Sequence, residues 1–481
     1  MTLETLIIGA GPAGLACAME LARAGRTCTI LERDEQVGGL AKTLTIREGD
    51  DVFLTDIGPH RFFSKNQYLY SFIEDLLHEE WRKVPRLTRQ FIDGKFYDYP
   101  VNAFQVFKNI GLWRSMRFGF DYVWALLRYR MLGRRIDNFE DYVVANFGRS
   151  LANFSMINYT EKIWGIPAST IHPDWATQRI RGLNLLSVLK NALFFKKGAD
   201  GPKSLVDEFF YPQFGTGRIY EAITKRLKEV NADLHTSTAP TRILHDGKRV
   251  TSVEVTIDGE ARVLRPDNVV ESIPLTEMLG LLDPPPPPEV IEAASKLQWR
   301  AQVYLFLTLD KDSISQDNWI YFPNLDIPFG RVAEMKNFSK DMCPEGKTSL
   351  FVEFFCFEGD KVWNSSKEGI EDMVIPFFER QGFFKRSEVR QTYLWKRRHV
   401  YPVYDLQYLD RLDVIKKWLD KLENLYYVGR PGRFRYTNQD HSLEMGIIAA
   451  RSLLEGRAYD FDAIGAENEY FESGRIYEKR V

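Results

Sequence analysis

The chain has 481 residues and a formal net charge of −2, with 44% hydrophobic and 27% charged residues. This length and composition predict two to four domains with a large apolar core, and the near-neutral charge argues against a dedicated nucleic-acid binder. The four cysteines lie far apart without a CxxC pair. That spacing argues against a disulfide framework or a metal site and favours core thiols of a protein of the reducing cytoplasm.

The first predicted element is an apolar strand that runs into a glycine-rich turn and a helix. Thr5–Ile8 is followed at once by Gly9-x-Gly11-x-x-Gly14, and the helix continues to Ala24. The first glycine permits a tight turn, the second lets the backbone approach a pyrophosphate, and the third lets the helix pack closely on the strand. Because a helix N-terminus attracts phosphate, this pattern predicts a dinucleotide-binding unit.

The second strand of this unit, Thr27–Leu31, ends at Glu32. An acidic side chain about 20 residues after the turn accepts hydrogen bonds from the ribose hydroxyls of adenosine. The segment Glu32-Arg33-x4-Gly38-Gly39 resembles the second glycine pair of the glutathione-reductase-like flavoproteins. This resemblance implies FAD as the cofactor instead of NAD. The predicted cofactor residues of this unit are Gly9, Gly11, Pro12, Ala13, Gly14, Glu32, Arg33, Gly38, Gly39 and Leu40.

A third strand, Val52–Ile57, precedes the polar loop GPHRFFSKN, which begins at Gly58. Loops at strand ends are where α/β folds place their chemistry. We expect His60 of this loop to face the cofactor, where a histidine tunes the charge of a flavin or donates a hydrogen bond to its ring. A structural histidine with satisfied hydrogen bonds is the alternative.

The next residues predict a β-hairpin and then a helical insert. Arg89–Ile92 and Lys95–Tyr99 flank a favourable Asp-Gly turn, and residues 101–200 have a helical, aromatic pattern. Phe104–Arg135 combines aromatic residues and leucines with seven basic residues. We expect these helices to pack over a substrate cleft or a partner subunit, including a second copy of the chain, and peripheral contact with a membrane is the alternative. No run of about 18 uncharged apolar residues occurs, so no spanning helix is predicted.

The pattern then returns to α/β. Gly217–Val230 predicts a helix, and Thr238–Ile243 with Val250–Ile257 predicts a hairpin on the adenine side of an FAD domain. Asp267–Ser272 predicts a further core strand. A stiff polyproline linker, Pro284–Pro288, follows it.

Residues 300–400 predict an antiparallel sheet that forms one wall of a substrate site, with strands at Gln302–Leu309, Trp319–Phe322 and Ser349–Phe357. Leu425–Val428 then predicts a buried strand, and His441–Leu454 a helix that returns to the cofactor. The predicted fold is α/β, a discontinuous glutathione-reductase-like FAD-binding Rossmann domain with an inserted helical domain and an antiparallel-sheet substrate domain. The predicted boundaries are 1–81, 201–283 and 425–481 for the FAD domain, 82–200 for the hairpin and helical insert, and 284–424 for the sheet domain.

Along its full length the chain resembles the FAD-dependent amine oxidase and protoporphyrinogen oxidase superfamily, and three motifs resemble those of the UDP-galactopyranose mutases. GPHRFFSKN is similar to their GPHIFHT loop, YTEKIWG to their YTxKQWG motif, and GRPGRFRYTNQD to their GR…YKYYNMDQ segment. By position, the resemblance implies catalytic roles for His60, Arg179 and Arg430, substrate contacts by Tyr159, Trp164, Arg179, Tyr436 and Asn438, and further cofactor contacts by His60, Pro240, Gly429, Arg430, Asp440, His441 and Ser442.

The chain also departs from the mutase motifs. Phe63 stands in place of a histidine, Ile163 and His441 in place of glutamines, and Phe434 and Thr437 in place of two tyrosines. The lost phenolic donors weaken the expectation that a UDP-sugar diphosphate is held as in the mutases. A different nucleotide-sugar or another substrate class therefore stays open.

The resemblance implies a flavoenzyme that interconverts the pyranose and furanose rings of a nucleotide-sugar and uses N5 of reduced FAD. The alternative is an FAD-dependent oxidoreductase that takes hydride from an amine, a lipid or a porphyrin-like substrate. A non-catalytic flavin-binding scaffold is a third hypothesis. Because no second complete GxGxxG unit occurs, we expect any reductant to reach the flavin through the substrate cleft or to come from another protein.

Overall fold

The computed structural model describes residues 3–99, 103–175, 208–230 and 232–465. A parallel sheet of five strands, in the order β20-β13-β1-β2-β9, lies at its centre. These strands are β1 (Leu3–Ile8), β2 (Cys28–Leu31), β9 (Asp233–His235), β13 (Pro266–Glu271) and β20 (Leu425–Tyr427). Because β1 pairs with both β2 and β13, segments far apart in the chain form one sheet, as a discontinuous nucleotide-binding fold requires.

Helices cover this sheet and form a separate layer over residues 103–175. The helices of the described residues are α1 (Pro12–Arg23), α2 (Gln67–Leu77), α3 (Ala103–Ile110), α4 (Leu112–Leu126), α5 (Phe139–Phe147), α6 (Arg149–Leu151), α7 (Asn158–Trp164), α8 (Gly217–Glu229), α9 (Leu275–Leu281), α10 (Pro288–Ser295), α11 (Lys361–Asn364), α12 (Lys367–Arg380), α13 (Tyr408–Leu419), α14 (Gly429–Gly432) and α15 (Gln439–Glu455). None of them is both long and apolar enough to cross a bilayer.

Helices α1 and α15 pack tightly against each other on the parallel sheet. A Cβ atom at Gly446 of α15 would lie 2.0 Å from the carbonyl oxygen of Ala13. Contacts this short exclude any side chain, so the small residues that the sequence shows on the last helix serve helix packing. The two helices thereby join the first and last parts of the nucleotide-binding fold.

A second sheet of seven strands has the order β19-β15-β18-β17-β16-β6-β7. Its strands are β6 (Thr88–Ile92), β7 (Lys95–Asp98), β15 (Trp299–Leu309), β16 (Trp319–Tyr321), β17 (Arg331–Glu334), β18 (Thr348–Cys356) and β19 (Val389–Pro402). The predicted sheet is present, but the hairpin β6-β7 belongs to it and not to the helical insert, because β6 pairs with β16. Strands β17 and β19 were not predicted.

Three smaller sheets complete the described strands. They contain β10 (Pro240–His245), β11 (Val250–Ile257), β12 (Glu260–Leu264) and β14 (Leu282–Asp283), then β3 (Thr43–Glu48) with β4 (Asp51–Asp56), and β5 (Trp81–Pro85) with β8 (Glu208–Pro212). The predicted hairpin before residue 258 is confirmed by the antiparallel pairing of β10 with β11. The basic run around Arg179 lies outside the described residues. The four cysteines are buried and free, in agreement with the expected core thiols.

Candidate cofactor and substrate cavity

A cavity of about 980 Å³ runs along the carboxyl ends of the parallel strands and extends to the seven-stranded sheet. Its volume lies at the upper end of the range for ligand pockets. The predicted site residues that line it are Gly9, Gly11, Pro12, Ala13, Glu32, Arg33, Gly39, Leu40, His60, Pro240, Gly429, Arg430, Tyr436, Asn438 and Ser442. The fold therefore brings together residues from both ends of the sequence.

One end of the cavity, called the glycine end, is formed by Gly9, Gly11, Glu32 and Gly39. Gly9 has a φ of +99°, a conformation that favours glycine. A Cβ atom at Gly39 would lie 3.3 Å from the Cα atom of Gly11, so the two glycine pairs leave each other little room for side chains. A Cβ atom at Gly14 would lie 1.9 Å from the carbonyl oxygen of Gly9. Gly14 does not line the cavity, but it permits the turn that does.

Glu32 is buried at the end of β2, where it organises this turn. Its carboxylate accepts hydrogen bonds from the backbone N–H of Ala10 at 2.7 Å and of Asp34 at 2.9 Å. Gly38, with a φ of +101°, donates its N–H to the carbonyl oxygen of Ala10 at 2.8 Å. Glu32 and Gly38 thus hold both glycine pairs and the start of α1 in one geometry, and Glu32 also lines the cavity.

The opposite end, called the far end, is formed by His60, Arg331, Tyr401, Arg430 and Tyr436. Nε2 of His60 lies 2.9 Å from the carbonyl oxygens of both Leu40 and Ile57. Two acceptors at one nitrogen require that Nε2 carries the proton, which leaves Nδ1 as an acceptor. Burial, with the nearby guanidinium of Arg430, lowers the His60 pKa to about 4. The ring is therefore neutral at physiological pH.

Arg430 lies at the start of α14 and is fixed by backbone and aromatic contacts. Its Nε donates to the carbonyl oxygen of Thr437 at 2.7 Å. Its guanidinium carbon lies 4.7 Å from the ring centre of Tyr436 and 5.5 Å from that of Tyr401, and these two rings stack at 5.5 Å. A guanidinium over tyrosine faces retains its charge and gains a cation–π attraction. The far end thus presents a rigid cation between aromatic surfaces.

Arg331 is a lining residue that the sequence analysis did not find. Its guanidinium makes two contacts with the buried carboxylate of Glu353, one of them at 2.9 Å. Burial alone would lower the Arg331 pKa, but the charge of Glu353 raises it well above its ordinary value. The sequence does contain a signal for this ion pair, because Glu353 is the single charged residue of the otherwise mainly apolar strand TSLFVEFFC. A buried charge of this kind requires a partner.

The YTEKIWG motif is placed behind the cavity wall. Trp164 is 0% exposed, packs edge-on against Trp175 at 4.7 Å and stacks on Tyr404 at 5.6 Å. Tyr159 contacts Tyr321, a lining residue, edge-on at 5.1 Å. Neither Tyr159 nor Trp164 lines the cavity, so any substrate contact by them stays a prediction.

Lys162 of the same motif is held in place by backbone carbonyl groups. Its ammonium donates to the carbonyl oxygens of Phe322, Asn324, Ile327 and Phe329 at 2.5–3.1 Å. Burial lowers the Lys162 pKa to about 7. This lysine therefore fastens α7 to the loop between β16 and β17, and the motif supports the wall that faces the cavity.

The remaining predicted residues either line the cavity or lie behind its wall. Asp440 is buried behind the cavity, and burial raises its pKa. The ring of His441 lies against Gly465, whose Cβ position is 3.0–3.1 Å from three ring atoms. Neither residue lines the cavity, whereas Ser442 does. Arg179 lies outside the described residues, so its expected contact with a substrate diphosphate stays a prediction.

The family model of the flavin-containing amine oxidoreductases matches residues 12–454, which is most of the chain. The chain belongs to this family. FAD is therefore its cofactor. The glycine end fits this assignment, because its glycines leave no side chains between the cavity and the N-terminus of α1, where a pyrophosphate would bind. Glu32 lies at the position expected to contact the ribose.

Two curated relatives illustrate the range of this family. A probable UDP-galactopyranose mutase of Klebsiella pneumoniae is 24% identical over 168 residues, which are 34% of this chain and 42% of that protein. An L-amino-acid oxidase of Bothrops atrox is 30% identical over 122 residues, 22% of this chain and 24% of that protein. The chain thus matches less than half the length of either relative.

Solved structures are similar over nearly the whole chain. A reduced UDP-galactopyranose mutase superposes with a TM-score of 0.81 at 22% identity and covers 97% of both chains. A putative protoporphyrinogen oxidase from Exiguobacterium sp. gives a TM-score of 0.71 at 17% identity, over 95% of this chain and all of the other. Similarity at these identities shows a common mixed α/β fold and nothing about the substrate.

Proposed function

We propose that this flavoenzyme is a nucleotide-sugar mutase that interconverts pyranose and furanose rings. The observation that carries the proposal is the composition of the far end, where Arg331 and Arg430 stand among Tyr401, Tyr436 and Tyr321. A nucleoside diphosphate needs aromatic faces for its base and guanidinium groups for its phosphates.

The charge of the cavity lining supports an anionic substrate over an amine. Among the described residues, the acidic side chains that line the cavity are Glu32, Asp34 and Glu277. Glu32 and Asp34 lie at the glycine end, where Asp34 pairs with Lys42 at 2.5 Å, and Glu277 is paired with Arg33 at 3.2 Å and with His399 of β19 at 2.9 Å. The five residues of the far end therefore include no carboxylate that would attract a protonated amine.

The far-end residues would position the substrate and stabilise its leaving group. When bound, reduced FAD supplies the nucleophilic N5 that this reaction requires. Arg430, fixed over Tyr436, would hold the diphosphate that departs from the anomeric carbon and stabilise its developing charge. His60, neutral with an unprotonated Nδ1, would accept a hydrogen bond at the cavity wall without adding charge.

An FAD-dependent oxidoreductase is the second candidate, and one observation favours it. Phe434 occupies a position where the mutase motif has a tyrosine, and it is fully buried against Trp299 at 4.7 Å. This position therefore offers no phenol to a diphosphate. The segment similarity to an L-amino-acid oxidase agrees with this alternative.

The two candidates differ in what reduced and oxidised protein can do. Purified chain loaded with FAD and reduced with dithionite should interconvert at least one member of a panel of nucleotide-pyranoses and nucleotide-furanoses, followed by chromatography. The mutase proposal fails if no member reacts while an amine, amino acid or lipid bleaches the oxidised flavin and oxygen restores its colour. The hypothesis of a non-catalytic flavin-binding scaffold is wrong if the protein turns over in either reaction.

A matched pair of variants locates the activity in the cavity. Arg430→Gln should lower turnover at least about 100-fold, because a charge-assisted contact to the leaving group contributes about 3 kcal/mol. Arg262→Gln, on the exposed strand β12, removes the same charge at a residue that does not line the cavity and should leave turnover unchanged. Flavin absorbance measured on both proteins shows whether FAD is retained.

A further inference from the structure

Helix α4 exposes a large apolar face to solvent. Its exposed side chains include Trp113 at 82%, Phe120 at 70% and Val123 at 64%. At 100° per residue, the exposed apolar residues of α4 fall within an arc of about 120°. These residues, called the α4 apolar face, are Leu112, Trp113, Met116, Phe120, Val123 and Trp124. A contiguous exposed patch of this kind marks an interaction surface.

The opposite side of α4 already has its partners inside the protein. Tyr122 and Ala125 are buried, and Phe118 packs edge-on against Phe154 at 5.9 Å. Asp121 accepts a hydrogen bond from the backbone N–H of Ser150 at 3.2 Å. The helix is therefore fixed in its orientation by its inner side, and the α4 apolar face is left outside by the fold.

Positive charge lies beside this face and follows it in the sequence. Residues 112–136 contain six arginines and one aspartate, a net charge of +5 in a chain whose total is −2. Arg114, Arg134 and Arg135 are paired with nearby carboxylates. Arg117 and Arg130 are exposed and make no ion pair with any described residue. The combination of tryptophan, leucine and phenylalanine with an arginine rim is typical of helices that lie in a membrane interface.

We propose that the α4 apolar face binds the surface of an anionic phospholipid bilayer. The apolar side chains would enter the boundary between headgroups and acyl chains, while arginines at its edge contact lipid phosphates and carboxylates. A second copy of the chain is a poorer occupant, because a symmetric interface would bring the exposed Arg117 and Arg130 of one copy into the same contact as those of the other. We therefore favour the membrane alternative of the sequence analysis over a partner subunit for this face.

The proposed contact would place the cavity near the bilayer. The small apolar cluster under α4 contains Ile92 and Tyr97 of the hairpin β6-β7, with Phe118 packed against it. The next residue of that hairpin region, Tyr99, lies 5.1 Å from Tyr321, which lines the cavity. The docking surface and the cavity therefore share one structural support. The proposal is independent of which reaction the cavity performs.

Vesicle binding by the full FAD-loaded chain tests the proposal. The protein should sediment with vesicles of phosphatidylcholine containing about 30% phosphatidylserine, and much less with phosphatidylcholine alone. Trp113→Ser combined with Phe120→Ser should weaken binding at least about tenfold, because two large apolar side chains no longer leave water. Ile291→Ser, which removes an apolar side chain that is 48% exposed on α10, should not.

The charges are tested separately. Arg117→Gln combined with Arg130→Gln should weaken binding to the anionic vesicles about tenfold, and added salt should weaken wild-type binding in the same direction. Flavin content and melting temperature should stay at wild-type values in all variants, because every altered side chain is exposed. The proposal is overturned if wild-type protein ignores anionic vesicles, if the Trp113/Phe120 variant binds them normally, or if that variant instead converts a dimer to a monomer.

Discussion

The glycine end of the cavity is made from contiguous chain, whereas the far end is assembled from segments that lie far apart in the sequence. Gly9, Gly11, Glu32 and Gly39 fall within 31 consecutive residues, and hydrogen bonds within that segment fix their geometry. The far end instead combines the loop after β4, two strands of the seven-stranded sheet and the start of α14. The geometry of the glycine end is thus set within one short segment, whereas that of the far end depends on how distant segments come together.

Substitutions at the two ends of the cavity should therefore have different effects on FAD binding, stability and turnover. Damage at the glycine end should remove FAD, because the close backbone contacts there have no substitute. Damage at the far end should leave FAD bound and change stability or turnover, because those side chains are held by packing within another sheet. The following variants begin with loss of the cofactor and end with the smallest change in stability.

Gly14→Ala should abolish FAD retention or folding. Its Cβ would lie 1.9 Å from the Gly9 carbonyl oxygen, a backbone atom that cannot move without breaking the turn. Overpacking of this kind costs about 3 kcal/mol, or roughly 100-fold in affinity. Gly119→Ala is the matched control, since that helical glycine has no atom within 4 Å of its Cβ position. Full flavin absorbance in purified Gly14→Ala protein would contradict the geometry of the turn.

Glu353→Gln should lower the free energy of unfolding by about 3–5 kcal/mol, because it leaves the buried charge of Arg331 without its partner. Combining it with Arg331→Met removes both charges and should restore most of that loss. Urea unfolding and flavin absorbance measure the two effects. Equal stability of the single and double variants would show that the ion pair does not support the far end.

Asp56 gives the strand before the His60 loop a pH-dependent stability. Its carboxyl accepts hydrogen bonds from Thr43 and Tyr211 at 2.6 Å each, and from the Thr216 N–H at 3.1 Å. Burial nevertheless raises the Asp56 pKa from 3.8 to about 7. Between these values the folded chain holds a proton that the unfolded chain has released.

Wild-type stability should therefore fall as pH rises through this window and level off above about pH 7, by about 2–4 kcal/mol in total. Asp56→Asn removes the titrating group, so the difference between wild type and variant isolates this contribution. Urea unfolding at several pH values measures it. A difference that does not change between pH 5 and pH 8 would show that Asp56 is ionised in the folded chain.

His60 should give a smaller pH dependence of stability, opposite in sign to that of Asp56. Because its pKa falls from 6.5 to about 4 on folding, the unfolded chain binds a proton that the folded chain does not. Stability should decrease as pH falls from about 6.5 towards 4, by about 1–2 kcal/mol for this partly exposed side chain. His60→Gln should lack this decrease and keep FAD. Loss of flavin from His60→Gln at pH 7 would place His60 in cofactor retention instead.

Sequence reasoning succeeded where the pattern is local and missed elements whose role depends on their neighbours. Four of the five strands of the parallel sheet are short apolar runs bounded by turns, and these four were predicted, whereas β9, with the sequence DLH, was not. Strand β19 was missed because Lys396, Arg397, Arg398 and His399 interrupt its alternation, which an edge strand beside a cavity tolerates. Trp164 looked like a substrate residue within its motif, but the tertiary packing buries it against Tyr404.

The sequence by itself determined the glycine end as a dinucleotide site, and the resemblance of its second glycine pair to that of known flavoproteins implied a flavin. It could do so because a tight turn, a helix start and a strand-end carboxylate are set by residues close together in the chain. Only the tertiary structure decided that Arg331 meets Glu353, that Arg430 lies over Tyr436 and that the α4 apolar face points outward. These depend on sheet order and on which side of a helix packs inward, and residue spacing alone does not specify either.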